Sequence, residues 1–328
     1  MTIAFTICSI NYLAQARTLG ASLRATNPDI TYFVGLVDRL EGITFDPQFE
    51  PDCTLVEVHR IGIDGFDELC ERYNITELNT AVKPFYFQYF LKKHPEANKI
   101  MYLDPDIIVY QPLTELLATL DEADAVLTPH LTRPIPDTDK QPSELDHLNT
   151  GIFNLGFGAF RRCEATDSFL DWWAEKLRYE CLIALCKGLF VDQNWMNFLP
   201  LFVENCYIEK DPGYNAAYWN LHERTFSRRE GTFFVNEIHP LHFFHYSGYD
   251  PAKPDIISKY QNRYDFNQRP DLVELFEIYR KQLVAHGNAY YRKFPCVYIK
   301  PEKIYKYSRV RKALTQPLRS LIRQIDTP

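Results

Sequence analysis

The chain is poor in glycine, with 13 in 328 residues, and none of them builds a phosphate-cradling loop. There is no G-x-x-x-x-G-K-[ST] and no G-x-G-x-x-G after the first apolar run, so neither an ATPase P-loop nor a dinucleotide-binding turn is supported. Any phosphorylated ligand has to be neutralised by a metal ion and basic side chains instead. Eight cysteines are scattered without one C-x-x-C pair. In a chain of this size that predicts reduced, buried thiols and a cytosolic setting, and argues against a disulfide frame or a zinc site. No apolar stretch is long enough to span a bilayer. The run Ile3–Ile10 lacks the basic flank of a secretion signal and reads as a first strand. Positive charge is thin outside the C-terminus. Residues 292–328 hold ten Lys or Arg and two acids, net +8, against −7 for the whole chain. The acidic body argues against nucleic-acid binding, and the basic end suits an anionic partner.

What is present is an ordinary globular composition, 46% apolar and 24% charged, in a chain long enough for one large α/β domain or two smaller ones. Strand-like runs fall at Ile3–Ser9, Thr31–Val37, Thr54–Val58, Lys99–Leu103, Asp124–Thr128 and Gly151–Leu155. Helical patterns lie between them. Tyr12–Thr26 places Leu13, Ala16, Leu19 and Leu23 on one face and stops at Asn27-Pro28. Pro84–Lys93 starts with proline near its first turn, and Phe169–Leu185 has helical apolar spacing. The alternation predicts βαβ units and a mostly parallel central sheet flanked by helices. Thr132–Ser143, rich in proline and polar residues, reads as a mobile surface loop.

The run Lys99-Ile-Met-Tyr-Leu-Asp-Pro-Asp-Ile-Ile-Val-Tyr110 is the most informative segment. A buried apolar strand delivers Asp104 and Asp106 and then resumes. In open α/β sheets, ligands collect at the carboxyl ends of such strands. At i, i+2 in extended backbone both carboxylates leave the same side, and Pro105 biases Asp104 away from the helical region. Two acids on one side are a poor core and a good grip for a divalent cation. An Asp-Pro-Asp turn with no ligand is the plainer alternative for this segment alone. Three further segments accompany it: Leu148-Asn-Thr-Gly-Ile-Phe-Asn-Leu155, Val191-Asp-Gln-Asn-Trp-Met-Asn197 and His239-Pro-Leu-His-Phe-Phe-His-Tyr-Ser-Gly248, the last succeeded by Lys253-Pro254. Asp192 and Gln193 stand at the start of an expected helix, where Asp192 could equally be a cap. A set of two Asp and one His suits Mn²⁺ or Mg²⁺ better than zinc. His242 and His245, at odd spacing in extended backbone, point to opposite faces, which counts against a three-histidine cluster. Trp172 and Trp173 fit the core face of their helix. Tyr214, Tyr218 and Trp219 are candidates for stacking on a sugar, with packing as the simpler role.

Taken in order, these segments resemble glycosyltransferase family 8, the retaining GT-A group that includes bacterial lipopolysaccharide galactosyltransferases and glycogenin. The resemblance covers residues 1–255 through Asn11-Tyr12, Tyr102-Leu-Asp-Pro-Asp106, Asn149-Thr-Gly151, Asp192-Gln193, and His245-Tyr-Ser-Gly248 with Lys253-Pro254. It implies a GT-A, Rossmann-like fold and transfer of a sugar, with retention, from a nucleotide-diphosphate donor, UDP-hexose first, to a saccharide or lipid-linked saccharide acceptor. It implies that Asp104, Asp106 and His245 hold Mn²⁺ (or Mg²⁺). Ser9 and Asn11 would lie by the base, Lys83, Gly248 and Lys253 by the phosphates or sugar, and Asn149, Asp192 and Gln193 along the sugar. Asp192 or Gln193 would act as nucleophile or as stabiliser of an oxocarbenium-like centre. Two positions depart from the family pattern. Ser9 stands where an acid is usual, and the Lys-Pro pair comes two residues late.

Residues 256–328 are expected to form a helical, basic C-terminal region. From Lys303 onward, Val310, Leu314, Leu318, Leu321, Ile322 and Ile325 fall on one helical side among basic residues, with Pro317 as a kink. That pattern predicts contact with an anionic membrane face, or else an oligomer contact. It suits a cytoplasmic enzyme, peripheral on the inner membrane face, in lipopolysaccharide or capsule synthesis. Acceptor choice is expected in residues 130–147 and 209–230. Two rival readings use the same residues. One is a nucleotide-sugar-binding protein without turnover. The other is a metal-dependent nucleotidyl or phosphoryl transferase, which the missing glycine loop disfavours.

Overall fold

The computed structural model describes residues 1–300. The amphipathic run expected to meet a membrane, 303–328, lies outside the described residues. A seven-stranded sheet forms the centre. Its labelled strands are β1 (Thr2–Cys8), β2 (Ile30–Leu36), β3 (Thr54–Glu57), β4 (Lys99–Leu103), β6 (Ala125–Pro129) and β7 (Phe153–Arg161), with β5 (Ile107–Val109) outside it. The spatial order is Cys206–Ile208, β6, β7, β4, β1, β2, β3. Only β7 runs against its neighbours, β4 and β6; the other pairings are parallel. The expected mostly parallel α/β sheet is therefore present.

Helices cover both faces: α1 (Leu13–Thr26), α2 (Phe66–Arg72), α3 (Ile75–Ala81), α4 (Lys83–Lys93), α5 (Thr114–Glu122), α6 (Glu144–Thr150) and α7 (Glu164–Tyr179). α1 buries Leu13, Ala16, Leu19 and Leu23 and ends at Asn27, whose side chain accepts from the Leu113 N–H (2.8 Å). Phe5 on β1 packs against Phe87 and Phe90 of α4, and Trp173 of α7 is fully buried behind them. α7 begins five residues before the expected Phe169 and stops at Tyr179. The expected remainder of that helix pairs Ile183–Ala184 with Leu189–Phe190 around Gly188, at φ +69°.

The segment 132–143 is pinned rather than loose. Arg263 grips Asp137 with two nitrogens at 2.9 Å, Asn262 accepts from the Gln141 N–H (2.8 Å), and Glu223 takes the Thr132 N–H and hydroxyl. The long-range partners explain why composition alone misjudged it.

One compact unit runs from Met1 to Tyr298, so the expected boundary after residue 255 does not coincide with a break in packing. The helix Val273–Ala285 buries Leu275, Phe276, Tyr279 and Leu283 in the same core as α1. Beyond it, Cys296 and Val297 cover the carboxyl ends of β1 and β2. The Cys296 thiol points at the Val37 carbonyl (3.4 Å), and the Val297 N–H donates to Asp38 (3.0 Å). Among the described residues no helix is long and apolar enough to cross a membrane.

Candidate active site

β4 ends at Leu103, and Asp104-Pro-Asp106 forms a turn rather than extended strand. The two acids still converge, because each backbone is tied to a different element. The Asp104 N–H donates to Gly156 on β7 (2.7 Å), and the Asp106 carbonyl accepts from Tyr246 (2.8 Å). Tyr246 directly succeeds the strand Phe243–His245, which pairs antiparallel with β5 and sets His245 opposite Ile107. His245 Nε2 therefore lies 3.0 Å from Asp106 Oδ1 and 3.5 Å from Asp104 Oδ2. Ligand atoms of all three residues fall within 4.8 Å of one another. Burial opposes the His245 imidazolium, but Asp106 and then Asp104 outweigh it and hold the His245 pKa above its ordinary value. Two half-buried carboxylates and one buried imidazole, crowded together in this way, fit a hard or borderline divalent ion.

Two contacts fix the His245 ring. Trp219 packs edge-on to it (5.2 Å, 90°). On the other side the ring lies against Gly156, where a Cβ would come 2.3 Å from His245 Cε1. Only glycine fits there.

Tyr102, three residues into β4, was not singled out from sequence and is central. Its buried phenol donates to Asp104 Oδ1 (2.5 Å), and its ring lies under the Lys83 ammonium (4.1 Å). That hydrogen bond occupies one Asp104 oxygen and leaves the other toward His245. Groups that orient metal ligands commonly govern metal affinity by about 10- to 100-fold. With Mn²⁺ as the probe, Tyr102→Phe is expected to weaken divalent-ion binding at this cluster by about 10- to 100-fold; an unchanged binding titration would contradict this role for Tyr102.

Lys83 opens α4 but is not a solvated helix end. It is buried, with Nζ 2.5 Å from Asp192 Oδ2 and 3.0 Å from the Leu155 carbonyl. Burial raises the Asp192 pKa, Lys83 pulls it back, and Asp104 adds to the rise. Asp192 makes no side-chain cap, and the chain continues from it into the short 3₁₀ turn Asn194–Phe198 rather than an α-helix. The Gln193 carboxamide accepts from Leu155 N–H (3.0 Å) and donates to the Thr150 carbonyl (2.8 Å), so it holds the end of α6 against β7.

The two N-x-G steps five residues apart have different fates. Asn149 is exposed on α6, with its carbonyl accepting from Asn194 (3.0 Å), and Gly151 ends that helix at φ +112°. Asn154 is buried; its Oδ1 accepts from Gly156 N–H (3.1 Å) and Asn215 (3.0 Å), and it reaches the His130 ring at 3.3 Å. Asn154 and Gly156, rather than Asn149 and Gly151, adjoin the cluster. Repetition of the pattern within one segment was the available signal.

Ser9, at the end of β1, is buried and accepts from Asn79 (3.4 Å). The acid absent from position 9 has a neighbour in Asp38, fully buried and bound by the Ile10, Arg39 and Val297 N–H groups. Asn11 is half-buried, next to the exposed Tyr12. Gly248 lies three residues past His245, at φ +75°. Lys253 is exposed in a turn whose N–H bonds to Asp250 (2.8 Å). His242 shares a hydrogen bond with the Pro112 carbonyl through Nδ1 (2.9 Å) and stacks on Tyr214, away from the cluster. Tyr214 and Trp219 are buried and are not open sugar platforms.

Behind Asn154, His130 stacks on His147 (4.6 Å). Burial pushes His130 well down and His147 down to about 4. Both rings are neutral in the folded protein near neutral pH, whereas the unfolded chain takes up protons below 6.5. Stability is thus fully present above pH 6.5 and lost progressively toward pH 4, by about 3 kcal/mol from His147. Urea midpoints measured from pH 7 to 4.5 should fall, and His147→Gln should flatten the fall.

The family model for glycosyl transferase family 8 matches residues 8–254. The chain belongs to that family. YfnF of Bacillus subtilis (strain 168) is 27% identical over 284 residues, spanning 86% of this chain and 92% of YfnF. YfnD of the same strain is 24% identical over 199 residues, 60% of this chain and 61% of YfnD. A crystal structure of the galactosyltransferase LgtC with donor and acceptor sugar analogues matches 86% of this chain and 95% of its own, at 17% identity and a TM-score of 0.50. The fold is thus the GT-A fold of LgtC, and this family 8 member is a glycosyltransferase.

Proposed function

We propose that the enzyme transfers a hexose, with retention, from a nucleotide-diphosphate sugar to a saccharide acceptor, with Mn²⁺ (or Mg²⁺) held by Asp104, Asp106 and His245. The observation that carries this is the meeting of those three side chains from two elements far apart in sequence. A bound divalent cation would supply positive charge against the departing nucleoside diphosphate. The rest falls to the chain itself. Tyr102 holds Asp104 in orientation, and Gly156 and Trp219 fix the His245 ring. Lys83 and Asp192 form a buried, nearly neutral pair beside Asp104, and Asp192 would favour positive charge developing at the anomeric carbon. Gln193 and Asn154 shape the wall between α6 and β7. UDP-hexose is the first donor to try. A bacterial surface glycan is the acceptor class that the family resemblance suggests.

The test is a screen of UDP-, GDP-, ADP- and dTDP-sugars for Mn²⁺-stimulated release of nucleoside diphosphate. Release is expected from one donor series and is expected to vanish in Asp104→Asn and Asp106→Asn. Turnover that survives both substitutions, or release of pyrophosphate in place of nucleoside diphosphate, would overturn the proposal.

A further inference from the structure

A cavity of about 310 Å³ lies between α6 and the residues that lead out of β6. Pro129, Leu131, Leu148 and Ile152 give it apolar walls, and His130, His147 and Glu144 supply its polar atoms. Its frame is already tied. The Ser143 hydroxyl caps α6 at the Asp146 N–H (3.4 Å), Glu144 accepts from the Ile135 N–H (2.8 Å), and the His130 N–H donates to the Ile152 carbonyl (2.9 Å). His130 joins the cavity to the metal cluster. Its ring lies 3.3 Å from the Asn154 amide, and Trp219 packs edge-on to it (5.2 Å) as it does to His245 (5.2 Å). Part of the stretch 130–147, where acceptor choice is expected, is thus wall of this cavity.

The chemistry of the walls narrows the occupant. The stacked His130 and His147 rings, kept neutral by burial, offer no charge to a phosphate or a carboxylate, and the exposed Glu144 carboxylate repels one. A bare sugar is also poorly served. Each hydroxyl buried without a partner is costly, and most of the wall is carbon. An apolar group with one hydrogen-bonding atom fits. His147 is only 7% exposed, and its Nε2 has no hydrogen-bond partner among the described residues. Outside the cavity, Leu145 and Leu148 stand three apart on one face of α6 at 69% and 65% exposure, and Ile152 follows at 46%. Apolar side chains left in water beside a concave apolar site mark a surface that a ligand covers.

We propose that this cavity takes the apolar aglycone of the acceptor, a neutral alkyl or aryl group joined to the sugar that receives the transfer. The proposal rests on the transferase reading above and names its acceptor class: a glycoside with an apolar aglycone, rather than a free or anionic saccharide. His147 Nε2 meets the one polar atom of the aglycone, and Leu148 and Ile152 close over its carbon.

The probe is phenylnaphthylamine, neutral and apolar with a single N–H, whose fluorescence rises when it leaves water. Anilinonaphthalene sulfonate adds one negative charge to nearly the same frame. Both are titrated into the full chain and its Leu148→Glu, Leu201→Glu and Asp104→Asn variants. Leu201, exposed on the short helix Leu199–Phe202 and not part of the cavity, controls for probe held by any surface leucine. The neutral probe is expected to saturate one site and to bind at least about tenfold more tightly than the sulfonate. Leu148→Glu is expected to weaken it at least about tenfold, with Leu201→Glu and Asp104→Asn unchanged. Hexyl glucoside and hexyl galactoside are expected to displace it at concentrations where the methyl glycosides do not. Equal affinity in Leu148→Glu, an equal loss in Leu201→Glu, equal binding of the sulfonate, or no displacement by the hexyl glycosides would each overturn the proposal. None of these would touch metal-dependent transfer, because the probe needs neither metal nor donor. A donor screen without turnover, beside probe binding as expected, would sink the transferase reading and take the acceptor assignment with it.

Discussion

Lys83→Met is expected to destabilise the fold by about 3–5 kcal/mol, the cost of leaving one member of a buried ion pair without its partner. Lys83 and Asp192 side chains are 2% and 3% exposed, and the ammonium also serves the Leu155 carbonyl and the Tyr102 ring. Take it away and the Asp192 carboxylate is buried near Asp104 with no cation against it. The double variant Lys83→Met/Asp192→Leu is expected to regain much of the loss, because no charge then needs compensation. Urea denaturation of both variants measures this. A single-variant loss below about 1 kcal/mol, or a double variant no better than the single, would show that the pair is not the structural floor assigned to it. Activity need not return with stability, and that separation would mark Asp192 as more than a structural partner.

His245→Ala is expected to lower Mn²⁺-dependent turnover by about 10³-fold, equivalent to about 4 kcal/mol of lost transition-state stabilisation. Among the described residues of the cluster, His245 is the one supplied from outside the turn Asp104–Asp106, and it closes the cluster from the opposite strand. Without it two carboxylates remain on one side, and the cation would be held loosely and off position. Initial rates over a Mn²⁺ series separate the effects. Weakened binding would be rescued in part by excess Mn²⁺, and misplacement would not. Wild-type rates in the variant would remove His245 from the metal set.

Much of the central frame was readable from local pattern. β1, β2, β3 and β4 are short apolar runs with clear ends, and each lies within a residue or two of its expected place. Asp104 and Asp106 stood out because they interrupt such a run, and the structure brings both to His245. What stayed hidden depends on partners distant in sequence. The Lys83–Asp192 pair joins the first residue of α4 to one beyond α7, and no local pattern connects the two. The proline-rich segment appeared loose because its clamp, Arg263, lies 126 residues from Asp137. Asn154 was passed over for Asn149 because the two share a local pattern. Only the antiparallel pairing of β7 with β4 decides which of them is carried to the cluster. The direction of β7 was itself illegible, since an apolar strand reads the same either way.

The cover that Cys296 and Val297 place over the first two strands bears on any attempt to dissect this chain. Three backbone N–H groups hold the fully enclosed Asp38, and one of them belongs to Val297. A fragment cut at residue 255 would strip away that donor, along with the helix that shares the α1 core. A stop codon placed after Tyr298 removes the basic segment and leaves this enclosure whole. Only that shorter protein can report whether the segment steers the enzyme to a membrane, because any earlier cut confuses misfolding with mislocalisation.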